Sequence, residues 1–210
     1  MNSATQRSLV AGPAGALECA LDLPPAGAVR GLALLCHPHP QHGGTMDNKV
    51  VQTLARACVQ LGYRSLRLNF RGVGRSEGQW DEGRGEVDDA LAALAAFRAA
   101  GEPLVLGGFS FGGAIAARAA QRLPEAERAE RLILVGPAVR NFEVAPVPAD
   151  TLVIQGEVDD VVPLAAVLDW ARPQALPVTV VPGAGHFFHG QLGLLKQIVL
   201  SAWAARPAAA

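Results

Sequence analysis

The sequence predicts an α/β domain, a three-layer α/β/α sandwich in which a mostly parallel sheet carries helices on both faces. Three observations lead there. Apolar strand-like runs alternate with stretches of helical spacing along the chain. Gly31 to Cys36 is apolar throughout rather than alternating, which suits a strand buried on both faces. The apolar run Pro103 to Leu106 passes through Gly108-Phe109-Ser110-Phe111-Gly112 into a small-residue stretch with helical spacing, Ala114 to Leu123.

In order, Ala16 to Leu23 alternates loosely and reads as an early strand, broken by Pro24 to Gly27. Val29 to Cys36 is the buried central strand. His37 to Gly44 holds two prolines and two glycines and reads as loop with nothing regular in it. Asp47 to Leu61 carries Val50, Val51, Leu54, Cys58 and Leu61 on one helical stripe, with Thr45 or Asp47 as cap and Gly62 as stop. Tyr63 to Phe70 is a strand, and Arg71 to Gly85 a long loop. Glu86 to Phe97 is a helix with Val87, Leu91, Leu94 and Phe97 on one face. After the strand–turn–helix, which Pro124 closes, come strands over 131–135 and 151–155. Pro163 opens a short helix, Leu164 to Ala171. Pro177 to Val181 is the last strand, and Gln191 to Trp203 closes the domain as a helix. Arg206 to Ala210 reads as a frayed end.

The chain of 210 residues is read as a single domain, 1–210, with its core over about 17–203. Half of its residues are apolar, so it is globular. A net charge of −1 gives no electrostatic case for nucleic acid or an anionic membrane. Met1 to Val10 lacks an apolar signal region, and no apolar run reaches membrane-span length. Cys19, Cys36 and Cys58 are an odd number at no metal-like spacing, which reads as buried free thiols and a cytoplasmic protein. Nothing in the composition indicates an oligomeric state.

In an open parallel sheet the chemistry lies beyond the carboxyl ends of the strands. Strand, Gly-x-Ser-x-Gly and helix together describe a nucleophile elbow, with Ser110 at its tip. Side chains two residues either side would collide there, so Gly108 and Gly112 must lack a Cβ. A serine needs a neutral imidazole to take its proton and a carboxylate to fix that imidazole's tautomer. The loop after 151–155 offers Asp159, with Asp160 as the alternative. The loop after the last strand offers His186, with His189 less well placed. Ser76, the rival nucleophile, has no helix directly behind it. An oxyanion hole needs two N–H donors. Phe111 follows the nucleophile, and the loop after Cys36 supplies the other. Pro38 and Pro40 have no N–H to give, which leaves His39, with Gln41 as the fallback. Met46, Trp80, Phe187 and Phe188 are placed to line the mouth for a small-molecule ester, or to pack the core. No cofactor and no metal is expected. His37, His39 and His42 lack a completing carboxylate or cysteine. Gly72-x-Gly74 follows a strand, with Asp88 and Asp89 downstream, but the third glycine, Gly78, is misplaced for a dinucleotide site and a long loop precedes the next helix.

Gly-Phe-Ser-Phe-Gly at 108–112, Arg-Gly-Val-Gly-Arg-Ser at 71–76, Gly-Glu-Val-Asp at 156–159 and Gly-Ala-Gly-His-Phe-Phe at 183–188 resemble the α/β-hydrolase superfamily. His-Pro-His-Pro at 37–40 with Asn-Phe-Arg-Gly at 69–72 is similar to its small, capless bacterial members, serine esterases of unassigned substrate. Many members have His-Gly at 37–38 and Asp at 69, where this chain has His37-Pro38 and Asn69. The superfamily's lid usually follows the strand at 131–135. Here only Gly136 to Asp150, with three prolines, lies before the next strand, too little for a helical cap. The resemblance implies a serine carboxylesterase for small or short-chain esters. Peptidase, thioesterase or acyltransferase activity is the alternative on the same residues, and a hydrolase-like binding module is the non-enzymatic one.

Overall fold

The computed structural model describes residues 5–25, 27 and 29–204. The expected frayed tail from Arg206 lies outside them. Eight strands form one sheet in the order β1-β2-β4-β3-β5-β6-β7-β8. β1 is Gln6–Gly12, β2 Gly15–Asp22, β3 Gly31–Cys36 and β4 Tyr63–Leu68. β5 is Leu104–Phe109, β6 Arg131–Val135, β7 Leu152–Gly156 and β8 Val178–Val181. β3 to β8 run parallel, while β2 joins β1 and β4 antiparallel.

Alternating side chains of the central strands send Ala33, Leu35, Val105, Ile133 and Ile154 to one face and Leu32, Leu34, Leu106 and Leu134 to the other. The first face is covered by α1 (Lys49–Gln60) and α5 (Leu192–Ala204). The second is covered by α2 (Arg84–Phe97), α3 (Phe111–Arg122) and α4 (Leu164–Ala171). Each fully buried Leu, Ile or Phe in these layers contributes about 1.5–3 kcal/mol. The three cysteines are free and buried. No helix among the described residues is long and apolar enough to cross a membrane.

Among the departures from the sequence expectations, three concern the first part of the chain. β1 lies before the expected core, at the sheet edge. Most of its residues are exposed, so it carries little burial signal, and it is held by its ladder to β2 and by Arg7 on Glu18 and Asp47. Gly12-Pro13-Ala14-Gly15, the turn of the hairpin, is the trace it leaves in the sequence. The cap of α1 is Asn48, whose side chain accepts from the Val50 and Val51 N–H groups and contributes about 1 kcal/mol. Thr45 Oγ1 instead accepts from the Asp47 N–H, and the Asp47 carboxylate pairs with Arg7 and Arg67. Finally, Pro40–His42 forms one 3₁₀ turn within the loop expected to be irregular. Proline there has the φ the turn needs, and its missing N–H is no loss at a helix start.

Candidate active site

Ser110 sits between β5 and α3 at φ 55° and ψ −118°, a conformation that costs about 1–3 kcal/mol for a residue with a side chain. Its N–H donates to Val135 O at 2.9 Å, which ties the turn to the neighbouring strand. The flanking glycines are required. A Cβ on Gly108 would stand 2.1 Å from Gly112 O, and one on Gly112 would stand 2.2 Å from Cys36 O. Phe111 is the first residue of α3, so its N–H has no carbonyl partner within the helix. The positive end of the helix dipole adds to that donor.

Asp159 and His186 come from the loops after β7 and β8. His186 Nδ1 lies 2.7 Å from Asp159 Oδ2, and both side chains are buried. The other carboxylate oxygen accepts from the Val161 N–H at 3.0 Å and the Val162 N–H at 2.7 Å. Burial pushes the Asp159 carboxyl up. The bond to His186, the two N–H groups and the imidazole charge outweigh that and hold it below the usual carboxylate range. Gly136, just after β6, has φ 50°, a conformation that favours glycine, and its Cα lies beside the pair: a Cβ there would be in ordinary contact with the His186 ring at 3.4 Å and with Asp159 Oδ2 at 3.6 Å. The His186 ring packs against Phe109, the residue before Ser110, with centroids 4.7 Å apart. Asp160 and His189 are exposed and outside this pair.

The loop after β3 is fixed by its histidines. His37 is fully buried, and its Nε2 accepts from the Phe70 N–H at 3.1 Å. Its Nδ1 therefore carries the proton and donates to Pro38 O at 2.6 Å. Burial pushes this imidazole down to about 4, so it is neutral at pH 7. His39 Nδ1 accepts from the Gln41 N–H at 3.2 Å, which commits the fallback donor. The His39 ring lies 4.5 Å from Trp80, 5.3 Å from Phe111 and 5.6 Å from Phe142, and stacks on His42 at 4.5 Å. His39 thus stands beside the residue that follows Ser110.

Other candidates fall elsewhere. Met46 is fully buried, its N–H on Asn69 and its carbonyl on Arg67, so it packs the core and does not line the mouth. Phe188 is also fully buried, against the α1–α5 face. Trp80 is half-buried in the aromatic group, and Phe187 is 44% exposed beside His186. Ser76 is a structural hydroxyl, donating to Asn69 O and accepting from the Glu18 N–H. Asp89 is buried against Arg71. Two residues at the site escape the sequence reading. Phe142 lies within the segment between β6 and β7, and Gln155 sits inside β7.

The segment Gly136 to Asp150 forms no helix or strand, and it brings Phe142 against His39, Trp80 and Phe111. Its Val144 and Ala145 pack on Ala114 and Ala117 of α3, and Trp170 Nε1 of α4 donates to Val144 O. The fold is that of a capless α/β-hydrolase. Residues 28–177 match the family described as serine aminopeptidase, S33, and the chain belongs to that family. A solved structure of an alpha-beta serine hydrolase homologue from Coxiella burnetii is 38% identical, with a TM-score of 0.84 over 93% of this chain and 96% of that one. XC6422 from Xanthomonas campestris, described as a serine hydrolase without lid, is 37% identical, with a TM-score of 0.87 over 100% and 98% of the two chains. The uncharacterized protein RP471 of Rickettsia prowazekii is 37% identical over 174 residues, 75% of this chain and 71% of its own.

Proposed function

We propose that this hydrolase is a carboxylesterase that cleaves small or short-chain esters through an acyl-enzyme. The observation that carries it is the buried His186–Asp159 hydrogen bond beside the strained elbow of Ser110. Ser110 Oγ attacks the ester carbonyl while His186 Nε2 takes its proton. Asp159 keeps the Nδ1–H tautomer and stabilises the imidazolium. The N–H groups of Phe111 and His39 donate to the oxyanion. His186 then gives its proton to the leaving alcohol, and water hydrolyses the acyl-Ser110 by the same steps. The chemistry needs no cofactor or metal.

The segment after β6 packs on α3 and α4 and forms no helical cap, which supports small substrates over long acyl chains. Trp80 and Phe187 are the rim residues proposed to meet the substrate. A peptidase is the second reading, favoured by the description of the family. Hydrolysis of p-nitrophenyl acetate and of an aminoacyl p-nitroanilide, each by the parent and by Ser110→Ala, separates the two. The proposal expects Ser110-dependent turnover of the ester. Turnover of the anilide alone favours the peptidase, and ester turnover that survives Ser110→Ala moves the nucleophile elsewhere.

A further inference from the structure

We infer that Gln155, inside β7, is a positioning residue that sets the charge and aim of Asp159. The inference rests on the triad proposed above. Gln155 is fully buried and follows Leu152-Val153-Ile154, in a strand position where an apolar side chain is the ordinary choice. Its Nε2 donates to Asp159 Oδ2 at 2.9 Å and to Val162 O at 2.8 Å. A third acceptor, Gly156 O, stands at 3.5 Å. Every group facing this nitrogen is an acceptor, so the amide orientation is determined: its two N–H bonds point at the carboxylate and at the loop that carries it. The opposite atom, Oε1, is buried with no hydrogen-bond partner among the described residues. The chain thus keeps an amide here at the cost of an unsatisfied acceptor.

The effect on the site follows from which oxygen is touched. Oδ2 is the atom that meets His186 Nδ1, so Gln155 and His186 share it. Oδ1 is held separately by the Val161 and Val162 N–H groups. Glu157 and Asp160, the other acids of this loop, are exposed, and Glu157 accepts from the Gly183 N–H. The Gln155 amide fixes Oδ2 on the His186 side of the loop. It also draws off part of the negative charge that otherwise stabilises protonated His186. A carboxylate held by four donors stays ionised although buried.

Gln155→Met removes both donors at nearly constant length. For p-nitrophenyl acetate, kcat is expected to fall about 10–100-fold with KM nearly unchanged. The acid limb of the kcat/KM profile moves to higher pH, because Asp159 then gives more charge to protonated His186. A merely structural pin of the loop lowers activity and leaves the limb in place, and that result overturns the inference. So does a kcat within twofold of the parent. Fluorophosphonate labelling of Ser110 in the parent separates this inference from its foundation. Labelling with an unmoved limb removes Gln155 alone, and absence of labelling removes the triad and Gln155 together. Should the variant not fold, the parent supplies the readout by NMR. The side-chain amide protons of Gln155 are expected to exchange slowly and to shift in step with the loss of activity on acidification. Exchange as fast as an exposed glutamine overturns the inference.

Discussion

His186 Nδ1 lies 2.7 Å from Asp159 Oδ2, and the far oxygen of that carboxylate accepts the Val161 and Val162 N–H groups of its own loop. The imidazole is thereby oriented by a group that the backbone itself holds. Asp159→Asn keeps the size of the side chain and leaves an amide that cannot fix the same tautomer. We expect kcat to fall by about 10⁴ with the fold intact. Steady-state kinetics together with circular dichroism check both halves of the statement.

The His39 N–H, proposed as the second oxyanion donor, has a direct test in the backbone. His39 has φ −51° and ψ 123°, a conformation that proline adopts. His39→Pro removes the N–H with little change of chain path, and kcat should drop about 10²–10³-fold. His39→Ala keeps the N–H and loses only the ring packing and the Gln41 contact, with a cost of about tenfold or less. Equal effects in the two variants would assign the role to the ring.

Ser110 itself stores strain. Its φ of 55° is one that glycine tolerates and alanine does not relieve. Ser110→Gly and Ser110→Ala should both be inactive, with the glycine variant more stable by about 1 kcal/mol. Gly108→Ala should lose roughly 3 kcal/mol, because the Cβ meets backbone rather than a movable side chain. Urea denaturation measures all three.

Stability should fall on mild acidification, and His37 supplies the reason. Unfolded, this imidazole takes up a proton below about pH 6.5; folded, it resists until about pH 4. The unfolded state therefore binds more protons between those values, and stability is lost as the pH falls through that window. The full loss is roughly 3 kcal/mol. The carboxylates of Asp159, Glu18 and Asp47 are held low, so their contributions disappear only at more acid pH. Urea midpoints at pH 7 and pH 4, for the parent and His37→Gln, test this: the variant should lack the His37 share of the slope.

The legible parts of this fold were those that burial wrote into the sequence. β3 and β5 are apolar because both of their faces are covered, and α1 shows its stripe because one face packs on the sheet. The elbow was legible because Gly108 and Gly112 answer a steric demand that few other residues meet. β1 was not, because an exposed edge strand is held by backbone pairing, which any side chain permits. Met46 and Phe188 follow the same logic in reverse. An apolar residue near a site has the composition of a lining and of a core alike, and only packing tells them apart. Gln155 was invisible because one polar residue in an apolar strand has no period to reveal it; its meaning comes from Asp159, brought to it by the turn of the loop.

The most direct test of the account is intact mass after exposure to a fluorophosphonate, followed by peptide mapping, with His186→Ala alongside. One adduct, on Ser110, is expected in the parent and none in the variant. A folded parent that takes no adduct, or takes it at another serine, would contradict the proposed Ser110–His186–Asp159 triad.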